Sequence, residues 1–180
     1  MKKFLLPFVI VSLLFASCKE SPRNVANNDI VKLEANLVSD TTLVLDRATA
    51  IKLTGMYADF SEKYPEDELA SNYLFKAGEL SMNLNMGNQA ITYFTKLLNN
   101  YENFDKRPET IFLQAFVLEN QLNNQKRASD LYKSFMVEYP DHILYKDAKA
   151  SLDNMGKSLE EIIKTFEARN RGKDKITEQE

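Results

Sequence analysis

The sequence predicts an all-α protein of stacked helical hairpins, and two observations predict it. Five Gly and five Pro among 180 residues are too few for the many tight turns of an all-β chain. The other observation is internal repetition, which outranks local motifs in deciding a fold. Tyr57, Phe60, Tyr64 and Pro65 are matched 37 residues later by Phe94, Leu97, Tyr101 and Glu102, and after another 38 by Tyr132, Phe135, Tyr139 and Pro140. Steps of three and four residues stack these side chains on one helical face, and a proline beyond the last aromatic ends the helix.

The elements follow in chain order. Lys2 and Lys3 precede the apolar run Phe4 to Ala16, a secretory signal layout over residues 1–17. As a helix this run reaches about 20 Å, short of the ~30 Å hydrocarbon core of a bilayer. Residues 18–28 are polar and predict a flexible tether. Asp29 to Val38 puts Ile30, Leu33 and Leu37 on one face behind an Asp29 N-cap, which predicts a short helix. From about Leu45 a second helix is expected to run to Lys63, opening a repeat core over 45–166 within a helical domain of 29–166. Leu74, Ala77, Leu80 and Leu84 are echoed 38 residues on by Phe112, Ala115, Leu118 and Leu122, giving the first helix of each later hairpin. Turns are expected at Met86-Gly87-Asn88, with Gly87 left-handed, and at Asn123-Asn124-Gln125. Ala148, Leu152, Met155 and Gly156, then Leu159, Ile163 and Phe166, predict a third hairpin that caps the stack. Residues 167–180 hold almost no apolar side chains and predict a disordered, charged tail.

Composition removes several classes of function. With 23 Lys+Arg against 26 Asp+Glu, no positive excess is available for a phosphate backbone, so nucleic acid is not an expected partner. One Cys and one His cannot build a disulfide framework, a Cys/His zinc site or a dispersed nucleophile–His triad. His142 beside Asp141 is a corner residue, with Asp141 expected as a helix N-cap, and Glu66-Asp67-Glu68 lacks the alternating ligands and central Gly of a calcium loop. These acids, like Glu160-Glu161, are expected to sit at helix starts, where negative charge complements the macrodipole. Met82 and Met86 are gap-fillers at helical spacing. No catalytic residue and no metal ligand is expected.

Leu14-Phe15-Ala16-Ser17-Cys18 resembles a bacterial lipobox, with Phe15 where Leu is more usual. That resemblance implies a covalent lipid on Cys18 and no other cofactor; the alternatives are an ordinary secretory signal followed by an incidental cysteine, or an uncleaved anchor. Two or three acyl chains would hold the protein stably to a membrane, and the lipid would be its only membrane contact. Gly78, Ala90 and Phe94, then Ala128, Tyr132 and Pro140, fall at the small, aromatic and proline positions of a tetratricopeptide repeat, which the chain resembles over about Leu45 to Phe166. Phe116 departs from the small residue at Gly78, and Glu102 replaces the corner proline. The 37 to 38 residue step and the corners Phe60-Ser61-Glu62-Lys63-Tyr64-Pro65 and Tyr139-Pro140-Asp141-His142 are similar to those of Gram-negative envelope proteins. Among these are the lipoprotein subunit of the β-barrel assembly machinery and the periplasmic coordinator that works with Tol-Pal.

The resemblance implies a right-handed solenoid that serves as a scaffold for envelope proteins or peptides. It implies an outer-membrane location on the periplasmic face, since Lys19 is not the retention Asp; Lys19-Glu20 resembles surface-export signals and leaves display outside open. It also places Asn72, Phe75, Glu79 and Met82 of one repeat, and Thr110, Leu113, Val117 and Asn120 of the next, on the concave groove. Phe75, Leu113 and Val117 either pack against neighbouring helices or the N-terminal segment, or meet a partner. A second functional class stays open, a lipoprotein that captures a glycan or peptide for an outer-membrane transporter.

Overall fold

Each helix that carries the repeated aromatic signature packs its stripe between the helices before and after it. The computed structural model describes residues 20–39 and 46–177; Cys18 and the signal segment lie outside them. Among the described residues there are eight helices and no strand: α1 (Pro22–Ser39), α2 (Arg47–Lys63), α3 (Ala70–Asn83), α4 (Gly87–Asn100), α5 (Arg107–Asn120), α6 (Gln125–Glu138), α7 (Tyr145–Asn154) and α8 (Leu159–Thr177). None of them is long and apolar enough to cross a membrane.

The core forms three clusters with one grammar. Leu53, Tyr57 and Phe60 of α2 pack with Ile30 of α1 and with Tyr73 and Ala77 of α3. Ala90, Phe94 and Leu97 of α4 pack with Leu74 and Phe75 of α3 and Val117 of α5. Ala128, Tyr132 and Phe135 of α6 pack with Ile111, Ala115 and Leu118 of α5 and Ala148 of α7. The middle side chain of each stripe is an aromatic that fills the space small neighbours leave. Gly78 shows how tight this is: a Cβ built there would stand 2.3 Å from the Phe94 ring.

Several expectations from sequence change. The stretch 18–28 is not a tether throughout, because α1 begins at Pro22 and absorbs the helix expected from Asp29. Proline suits a first helical position, where its missing N–H is no loss, and Ser21 Oγ accepts the Asn24 N–H at 3.2 Å as a cap. The second helix starts at Arg47, with Asp46 accepting the Thr49 N–H. The left-handed residue of the first turn is Asn85, with φ 57°, not Gly87; Asn123 takes the same role in the second turn, with φ 49°. Gly87 instead lies in close approach to the α5–α6 turn, where a Cβ would stand 3.0 Å from the Leu122 side chain.

Departures also occur at the C-terminal end. Asp141 does not cap α7, whose N-cap is Leu144; the His142 imidazole accepts the Leu144 N–H there, at 3.2 Å. Helix α8 runs on to Thr177, so the expected tail is helical for most of its length. Its start is fixed by a reciprocal cap in which Glu161 accepts from the Ser158 N–H at 2.7 Å and Ser158 Oγ accepts the Glu161 N–H at 3.3 Å.

The third hairpin does not close as a cap. Helix α8 makes almost no packing contact with α7, and Leu159, Ile163 and Phe166 are 73%, 47% and 65% exposed. The cause lies on α7. At 75 residues beyond Leu74 and Gly78, the positions that receive α4 inside the first matched hairpin, stand Lys149 and Asp153, which pair with each other at 3.0 Å. A charged face offers an apolar stripe nothing to bury against.

Candidate functional site

Burial divides the eight expected groove residues sharply. Phe75, Thr110 and Val117 are 4%, 0% and 0% exposed, so they belong to the packing between hairpins and not to a free surface. Phe75 sits against Phe94 and Phe104, with ring centroids at 6.2 and 5.6 Å. Phe104 comes from the α4–α5 connection and is itself buried; it lies outside any helical register, so its role was not legible. Leu113 and Met82 are partly buried against the same cluster. Asn72 and Asn120 are exposed, and Glu79 is half-buried.

The structure gathers a different set of polar groups around Glu79. A cleft of about 450 Å³ is lined by Glu34 of α1, Leu53 and Tyr57 of α2, and Lys76, Glu79, Leu80 and Asn83 of α3. Glu34 accepts from the Tyr57 hydroxyl at 2.6 Å and from Lys76 Nζ at 2.8 Å. Lys76 also lies 5.6 Å from the Tyr57 and Tyr73 ring centroids, within cation–π range. Burial would raise the Glu34 carboxyl, but the hydrogen bonds from Lys76 and Tyr57 outweigh it and hold the group below the usual carboxylate range. Burial, reinforced by the Glu34 carboxylate, pushes the Tyr57 hydroxyl far up. Glu79 is raised by burial, against the pull of Lys106 and Lys76.

Of the expected groove residues only Glu79 lines this cleft; Glu34, Tyr57, Lys76 and Asn83 were not among them, because the cleft depends on α1. Helix α1 is pinned by polar contacts that its own pattern does not announce. Arg23 forms a two-pronged pair with Asp67, at 2.6 and 2.8 Å, and lies over the Phe60 ring at 5.6 Å. Asn27 accepts from the Tyr73 hydroxyl at 2.5 Å. The acid Asp67 sits at the start of α3 as expected, accepting the Leu69 N–H at 3.0 Å, and also receives Arg23 of α1, whose hydrogen bond lowers its pKa. Segment 29–38, whose place against the groove was open, buries Ile30 to 1% exposure among α2 and α3 side chains.

Among the described residues no group of His, Cys, Asp and Glu is arranged to hold a metal ion. The cleft pairs an apolar floor at Leu53 and Leu80 with the Glu34 and Glu79 carboxylates, the Lys76 ammonium and the Asn83 amide. Fold and surface together define a helical-repeat protein of the interaction-scaffold class. The tetratricopeptide repeat family model matches residues 73–103 and 109–142, which correspond to the α3–α4 and α5–α6 hairpins with their corners. Such repeats generally mediate protein–protein interaction without catalysis. No curated protein matches the chain.

Proposed function

We propose that the protein is a lipid-anchored tetratricopeptide scaffold that holds a protein partner during assembly or maintenance of a bacterial outer membrane. The observation that carries the scaffold role is the Glu79 cleft, in which α3 of the first family-matched unit meets α2 and a docked α1, and which leaves Lys76, Glu79 and Asn83 open at its rim. The anchoring rests on the lipobox-like Leu14 to Cys18. If Cys18 carries the lipid, only residues 19–21 separate it from α1, a reach on the order of 14 Å when extended. The scaffold would then be held close to the bilayer by the lipid, on the periplasmic face. A partner presenting a cation beside an apolar side chain would satisfy the half-buried Glu79 and the Leu53–Leu80 floor together.

The test is site-specific photocrosslinking in intact envelopes with the reactive side chain at Asn83 or, as a control, at Val137. A discrete protein adduct from Asn83, lost in Glu79→Gln and absent from Val137, is the expected result. Equal adducts from both positions, or none from Asn83, overturn the cleft as the binding site. A glycan-sized ligand captured with no protein adduct favours the transporter-linked reading, which draws on the cleft volume of about 450 Å³. The anchor is checked separately: Cys18→Ser is expected to leave the membrane fraction.

A further inference from the structure

The two ends of the stack are complementary in a way that neither the groove nor the anchor requires. Inside the stack, a second helix docks in the cleft between the two helices of the next hairpin. Helix α2 does so against α3 and α4, through Tyr57 stacked on Tyr73 at 5.2 Å, Glu62 paired with Lys96 at 3.7 Å, and the Pro65 carbonyl accepting from the Tyr101 hydroxyl at 3.0 Å. On α4 the outward residues are thus Tyr93, Lys96 and Tyr101; 37 residues earlier stand Met56, Asp59 and Tyr64.

Those three residues line an unfilled cleft of about 580 Å³ between α1 and α2, with Ala26, Asp29 and Ile30 on the α1 side. It is the slot a preceding second helix would occupy. The Tyr64 hydroxyl beside it is buried with no hydrogen-bond partner, whereas its repeat equivalent Tyr101 has one. At the other end α8 carries the stripe Leu159, Ile163 and Phe166 at the spacing of Leu53, Tyr57 and Phe60, exposed and covered by no helix among the described residues.

We propose that α8 of one copy docks into the α1–α2 cleft of a second copy, head to tail, continuing the solenoid across the junction. The apolar stripe would meet Ala26, Ile30 and Met56. Charge favours the same pairing: Asp29, Asp59 and Glu62 outnumber Lys63 on the cleft lining, and the sequence of α8 beyond Ala168 holds Arg169, Arg171, Lys173 and Lys175 against Asp174. The contact is heterologous, so it propagates into chains or closes a ring, and does not stop at a symmetric dimer.

Sedimentation velocity on residues 18–180 with Cys18→Ser tests this, because no lipid can then drive association. The mean mass is expected to rise from one copy toward two and more between low-micromolar and millimolar concentration. A tail variant, Ile163→Glu with Phe166→Glu, and a head variant, Asp29→Lys with Asp59→Lys, alter exposed positions and are each expected to stay monomeric. Mixed in equal amounts they should recover a one-to-one pair, since each keeps the half the other lacks. A wild-type chain that stays monomeric at millimolar concentration overturns the proposal. So does a head variant that still self-associates, the mark of symmetric α8 pairing, or a mixture that gains no mass.

Discussion

Helices α1 and α8 stand at opposite ends of the same stack, and the one with the weaker apolar pattern is the one that docks. Helix α1 buries Ile30 and is tied down by Arg23–Asp67, Asn27–Tyr73 and Glu34–Lys76. Helix α8 has a clear stripe at i, i+4 and i+7 and projects with that stripe exposed. The difference lies in the receiving surface. Residues Tyr73 and Ala77 of α3 offer apolar shape and polar partners to α1 and α2, while Lys149 and Asp153 close the matching face of α7 to α8. Amphipathic pattern sets what a helix can bury; its neighbour sets whether it does.

The comparison can be broken or sharpened by mutation. The largest effect is expected inside the stack: Phe94→Ala or Tyr132→Ala should cost ~3–5 kcal/mol, read by chemical denaturation, as a fully buried aromatic is removed. Ile30→Ala should release α1 at a cost of about 2–4 kcal/mol, seen as faster amide exchange in α1 than in α4; uniform loss across both helices would mean that α1 folds with the whole.

Gly78→Ala comes next, at ~1–3 kcal/mol, because the new methyl group must displace the Phe94 ring. Acidification should act on α1 selectively. The native pKa values of Asp67, held by Arg23, and Glu34, held by Lys76 and Tyr57, are depressed. Their contribution is therefore present above the ordinary carboxylate pKa of about 4 and is lost as pH falls through the lower native values. Exchange-rate ratios between α1 and α4 at pH 7 and pH 3 would show it, and an unchanged ratio would remove the ion pairs from the account. The smallest effect is expected at Phe166→Ala, within about 0.5 kcal/mol for the isolated monomer, although the residue is the same type as Phe94.

Much of this was written in the spacing of side chains. The recurrence of Tyr57, Phe94 and Tyr132 marks the three packed stripes, and the fit of Gly78 beneath Phe94 follows from its place in the repeat. The site was less legible. Family register puts Phe75, Thr110 and Val117 on the groove, but a loop residue, Phe104, arrives from outside that register and helps bury Phe75. The cleft that remains open takes Glu34 from a segment whose first half was polar enough to predict a tether. Contacts such as Arg23–Asp67 span 44 residues and leave no periodic trace.

The sequence by itself determined the helical hairpins, their three stripes and their corners, because helix periodicity and close packing of aromatic on small residues are local or repeat over a fixed step. Only the tertiary structure decided that α1 begins at Pro22 and docks, that Phe75 is interior, and that α8 stands away from α7. Each of those outcomes depends on whether two surfaces distant in the chain match in shape and charge. Spacing within one helix carries no information about the face opposite it.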